Sequence, residues 1–101
     1  MMKNKEYTIT EIVKLFKESI KEPAEKGKLK GKIVRFQIAD SFSFYIITKE
    51  DKKYAYLKRA NIVDFDNYTE PVLGEEGAME INRLISHINL DYKVYKYFDK
   101  K

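Results

Sequence analysis

The chain has 101 residues, of which 44% are hydrophobic, 14% aromatic and 36% charged. This composition argues for one folded domain and against a disordered chain, and the absence of cysteine excludes disulfides, thiol catalysis and thiolate metal sites. The formal charge of +4 is unevenly spread: residues 64–90 hold one base, Arg83, against six acids, so a basic face and an acidic face are expected.

The N-terminal residues Met1 to Glu6 lead into no apolar run, and the longest one, Phe44 to Ile47, is far below the ~20 residues of a membrane span. A cytoplasmic protein with no membrane partner is expected, and the missing disulfides suit a reducing compartment.

The first helix opens at Thr8, which with Glu11 makes a capping box, and Tyr7 can staple onto Ile12. Ile9, Ile12, Val13, Phe16 and Ile20 follow helical spacing, and Pro23 stops the helix near Glu22. A polar connector leads into alternating Lys26, Lys28, Lys30 and Lys32, read as a solvated loop or a phosphate-contacting one. It is not a P-loop, since no Gly-Lys-Ser/Thr ends it.

Three strands are predicted next. In Ile33 to Ile38, Val34, Phe36 and Ile38 face one way and Arg35 and Gln37 the other. After a turn at Asp40-Ser41, Phe42 to Thr48 sets Phe42, Phe44 and Ile46 against Ser43, Tyr45 and Ile47. Lys49 to Lys52 forms a hairpin tip, and Lys53 to Arg59 carries Tyr54 and Tyr56 on one face with Ala55 and Leu57 on the other. Asn61 to Phe65 is a short strand or a loop. A second helix is predicted over Glu75 to Ile88, burying Ala78, Ile81, Leu84, Ile85 and Ile88, with His87 on its surface. A last strand is predicted over Asp91 to Phe98, where Lys96 falls on the apolar side.

The expected fold is α+β: a two-layer sandwich with an antiparallel sheet of four or five strands and two helices on one face, in the order α-β-β-β-(β)-α-β. An OB-like barrel formed by curling of the strands between Gly31 and Arg59 is the alternative. The helices should then cover Val34, Phe36, Ile38, Phe42, Phe44, Ile46, Val94 and Phe98.

That parity leaves an outer sheet face of Arg35, Gln37, Ser43, Tyr45, Lys93, Tyr95 and Tyr97. Rings interleaved with cations suit single-stranded nucleic acid, which needs cations for its backbone and surfaces on which bases stack. The residues expected to bind it are Arg35, Gln37, Tyr45, Lys93, Tyr95 and Tyr97, joined by Lys30 and Lys32 from the basic loop. The competing expectation is a protein-interaction module, such as the inhibitors or adaptors that small proteins of mobile elements sometimes are. Asp64, Asp66, Glu70, Glu75 and Glu76 would then engage a basic site on a partner protein. Self-association is a further expectation, head to tail through opposed charged faces or as a homodimer through an exposed edge strand such as Asp91 to Phe98.

The helix and strand order resembles the core of the PD-(D/E)xK nucleases, whose pattern is an acid at the start of the second strand and Glu/Asp-x-Lys on the third. Asp40 matches the first position. Glu50-Asp51-Lys52 matches the tripeptide but lies at the hairpin tip, and on the third strand the matching positions read Tyr56-Leu57-Lys58, without the acid. No enzymatic activity is expected. His87, the only histidine, has no Cys or second His to complete a metal site, and no Gly-rich fingerprint is present, so neither metal nor cofactor is expected.

Overall fold

The computed structural model describes residues 6–38, 41–64, 73 and 76–99, with the backbone alone for 38, 41, 42 and 95–99. The elements run β1 (Glu6–Tyr7), α1 (Ile9–Ser19), β2 (Ile33–Ile38), β3 (Ser41–Glu50), β4 (Tyr54–Arg59), β5 (Asn61–Ile62), β6 (Glu76–Glu80) and α2 (Ile81–Asp99). Four strands form an antiparallel sheet in the order β2-β3-β4-β6, while β1 and β5 make a small parallel pair. The fold is α+β, with two helices and a curled sheet whose half-barrel form also suits the OB-like alternative.

Helix α1 begins as its residues dictate. The Glu11 N–H donates to Thr8 Oγ1, and the Thr8 N–H donates to Glu11 Oε1, both at 3.2 Å. Asp64 adds a carboxylate that accepts the Ile9 N–H at 2.7 Å, tying the helix start to the chain just after β5. The helix stops at Ser19, before the expected Glu22. There the Lys32 ammonium donates to the Ser19 carbonyl at 2.8 Å, a cation at the negative helix end.

The order departs from expectation after residue 75. Residues 76–80 form a strand, not a helix start, and residues 91–98 lie in α2, not in a strand. Ala78 is accordingly exposed on β6 and does not line a helix stripe. Strand β6 is short and rich in helix formers, but pairing with β4 overrides that propensity. In α2 the apolar spacing Ile81, Leu84, Ile85, Ile88 and Tyr92 carries the helical period into the segment predicted as a strand, where Val94 is exposed.

Strand parity also differs across β2 and β3. Arg35 stands opposite Phe44 and Val34 opposite Tyr45, and opposed residues point to the same side of a sheet. Val34, Phe36, Ser43, Tyr45, Ile47, Ala55 and Leu57 therefore make one row, and all are buried. Ile33, Arg35, Phe44 and Ile46 share the other row, which continues across Tyr56 and Tyr54 on β4 and onto β6 through Glu76, Ala78 and Glu80. A bulge between Ile47 and Lys49 adds local twist.

The helices address different rows. Phe16 of α1 meets Phe44 edge-on at 5.6 Å. Phe36, from the row of Tyr45, stacks on His87 of α2 at 4.6 Å and meets the Tyr45 ring at 5.5 Å. His87 is thus half-buried, not a surface residue, because its ring covers Phe36 while its Nε2 reaches the Arg35 carbonyl at 2.6 Å. Both helices engage the outer edge of β2: Ser19 Oγ accepts the Ile33 N–H at 2.9 Å, and His87 donates to the Arg35 carbonyl. Asn89 Oδ1 accepts the Ala24 N–H at 2.7 Å, joining α2 to the connector after α1.

Tyr45 is 0% exposed, and its hydroxyl accepts the Leu73 N–H at 3.4 Å. Leu73 in turn lies against Gly77, where a Cβ would come within 2.9 Å of the Leu73 Cβ. We expect Tyr45→Phe to destabilise the protein by about 1 kcal/mol, the worth of one buried hydrogen bond. Tyr45→Ala should cost about 3–5 kcal/mol through the cavity it leaves. Urea titrations followed by circular dichroism measure both.

Candidate nucleic-acid interface

The residues expected to form a binding face do not come together. Tyr45 is in the core, because its row faces α2. Arg35 is engaged between the helices: its guanidinium lies 5.2 Å over the Phe16 ring and 3.4 Å from the Asp91 carboxylate. Lys32 is committed to the end of α1. Gln37 is exposed on β2, Lys30 is exposed in the turn before it, and Lys93 is exposed on α2. Tyr95 and Tyr97 belong to α2, not to the sheet, and their side chains lie outside the described residues.

A different pair of tyrosines meets the chemical requirement. Tyr54 and Tyr56 are two residues apart on β4, so both project from the row not covered by α2. Tyr54 is 40% exposed and Tyr56 is half-buried. Each ring carries an ammonium: Lys49 Nζ lies 4.6 Å from the Tyr56 centroid and Lys53 Nζ 5.6 Å from that of Tyr54. Beside Tyr56 is an open recess of about 380 Å³ whose walls include Thr48, Lys49 and Lys58. The alternation in Lys53 to Arg59 was the signal for this face.

Asp51 sets the geometry of the pair. Its Oδ1 accepts the Lys53 and Tyr54 N–H groups at 2.8 and 2.7 Å, closing the hairpin tip, and its Oδ2 accepts the Tyr56 hydroxyl at 2.9 Å. The backbone N–H groups of Tyr54 and Lys53, then the Tyr56 hydroxyl, hold the Asp51 carboxyl below its ordinary pKa. The same hydrogen bond raises the Tyr56 phenol above its ordinary value. Lys49 therefore faces a neutral, oriented ring.

The basic loop already holds an anion of its own. Both carboxylate oxygens of Glu50 accept backbone N–H groups, from Gly27 and Leu29, each at 2.9 Å. Gly27 and Gly31 both have φ near 90°, the left-handed region that only glycine enters freely. These donors are taken, so the loop offers Lys30 but no vacant backbone cradle for phosphate.

Neither Glu50 nor Asp51 is placed as the nuclease resemblance required, since both carboxylates bind backbone N–H groups. Asp40 lies outside the described residues, and the observed element order departs from that of the nuclease core. Among the described residues, no group of three or more His, Asp or Glu could hold a metal ion.

Only two of the five acidic residues expected to engage a partner lie among the described residues. Asp64 caps α1, Glu76 is exposed on β6, and Asp66, Glu70 and Glu75 lie outside the described residues. No helix among the described residues is long and apolar enough to cross a membrane. Compared with protein-family models, curated proteins and solved structures, the chain matches none.

The Asp51–Tyr56 bond is testable by titration. Asp51→Asn should bring the Tyr56 phenol back toward its ordinary pKa, read from its ring proton shifts by NMR. Because the folded Asp51 pKa is depressed, its contribution to stability is present above the unfolded carboxylate range (about 4) and is lost as pH falls through the folded value. Asp51→Asn should therefore flatten the acid limb of stability measured by urea melts.

Proposed function

We propose that this protein binds single-stranded nucleic acid through the β4 face that carries Tyr54 and Tyr56. The reading rests on one observation: two neighbouring, solvent-reaching tyrosines, each with a lysine ammonium over its ring. Aromatic faces take stacked bases, and cations at their rims take phosphate oxygens. On this reading Lys49 and Lys53 swing from the rings to the backbone as bases replace them. The tyrosine spacing, about 6.6 Å along a strand, sets two bases side by side without a helical stack.

The protein's +4 charge is a modest electrostatic attraction, so binding is salt-sensitive. Glu76 and Glu80 border the face, and their charge restricts the strand to a path over the hairpin.

Fluorescence anisotropy with labelled single-stranded DNA and RNA at ~50 mM salt tests the reading. Tyr54→Ala and Tyr56→Ala should each weaken binding by about 5- to 150-fold, the equivalent of ~1–3 kcal/mol per stacked base. Replacing Lys49 and Lys53 by Gln should lower the slope of log affinity on log salt by about one to two. Tyr45→Phe should leave binding unchanged. Absence of binding at ~50 mM salt, or wild-type affinity in both tyrosine variants, overturns the proposal.

A further inference from the structure

The two edges of the main sheet are treated differently. On the β2 edge, Ser19 takes the Ile33 N–H and His87 takes the Arg35 carbonyl. At the opposite edge, β6 turns alternate backbone groups outward. The Ile81 N–H bonds the Lys53 carbonyl at 2.9 Å, and this register assigns Met79 and Gly77 to bonds with β4. The N–H and C=O groups of Glu76 and Ala78, and the N–H of Glu80, therefore point away from the sheet. Among the described residues nothing pairs with that edge.

Side chains decide what can pair there. Glu76, Ala78 and Glu80 are exposed and share one row, so the edge presents acid, methyl, acid at alternate positions. A second copy pairing antiparallel about Ala78 would set Glu76 opposite Glu80 twice. Centring on either glutamate would oppose it to its own twin. Like charges directly opposite destabilise a strand pair, so these registers disfavour a second copy and favour a strand that carries cations at those positions.

We propose that the β6 edge is a docking site for an extended, basic segment of a partner protein, added antiparallel as a fifth strand. The matching segment carries Lys or Arg at two positions four residues apart, opposite Glu76 and Glu80, with a small residue midway opposite Ala78. Main-chain bonds supply affinity and the two ion pairs supply register and selectivity. This site uses neither Tyr54 nor Tyr56 and stands or falls independently of nucleic-acid binding.

The probe is a capped seven-residue peptide, Thr-Lys-Val-Ala-Val-Lys-Thr, with a control in which both lysines are glutamate. In the free protein the amides of Glu76, Ala78 and Glu80 should exchange rapidly with deuterium, and the lysine peptide should protect those three. Ala78→Pro removes an outward donor without touching the β4 ladder, and should abolish binding while the melting curve stays cooperative. The double variant Glu76→Lys with Glu80→Lys should lower affinity for the lysine peptide by about tenfold and acquire affinity for the glutamate peptide. Protection of these amides before peptide is added overturns the proposal. So does failure of the lysine peptide to bind at millimolar concentration, or equal binding of both peptides by the wild-type protein.

Discussion

Ile33 stands opposite Ile46, and the character of the whole sheet follows from that register. It sets Tyr45 beside Val34 and Phe36, where α2 stacks, and sets Phe44 beside Arg35, where α1 lies. Moving β3 by one residue would exchange its two side-chain sets between these environments. The observed register buries both sets, because each row of β2 and β3 has its own helix. The sheet can therefore carry apolar residues on consecutive positions of β3, as Phe44, Tyr45 and Ile47 show. A strand facing water on one side could not.

Water is met instead by β4 and β6, beyond the reach of α1. Lysines gather at the hairpin and glutamates at the far edge, so one continuous surface changes sign across two strands. Among the described residues, acid and base thus lie in neighbouring territories of this surface. Asp51 stiffens the basic territory by fixing the hairpin tip and the Tyr56 hydroxyl together. Arg35, by contrast, is drawn inward to Phe16 and Asp91, so a cation on a strand proves to be a packing element.

Local signals carried well where a local cause ruled. The Thr8–Glu11 capping box and strand β2 stand where the sequence places them, because caps and alternation are set by adjacent residues. The helix over Ile81 to Ile88 is legible in its apolar spacing, but Glu76 to Glu80 also has the composition of a helix, and only the long-range partner β4 makes it a strand. The face of Tyr45 depended on pairing between strands, which alternation within one strand does not encode. The roles of Glu50, Asp64 and His87 were equally hidden, since their backbone partners lie 21 to 55 residues away. Lys96 on the apolar side was the one local sign that the last segment was no strand.

The sealed margin of β2 has a consequence for biosynthesis. Ser19 is made before β2, but His87 only after every strand, so half of the seal arrives late in translation. Until then β2 offers bare hydrogen-bonding groups to neighbouring chains. Loss or delay of α2 would convert that margin into a nucleus for aggregation, even with all four strands of the sheet intact.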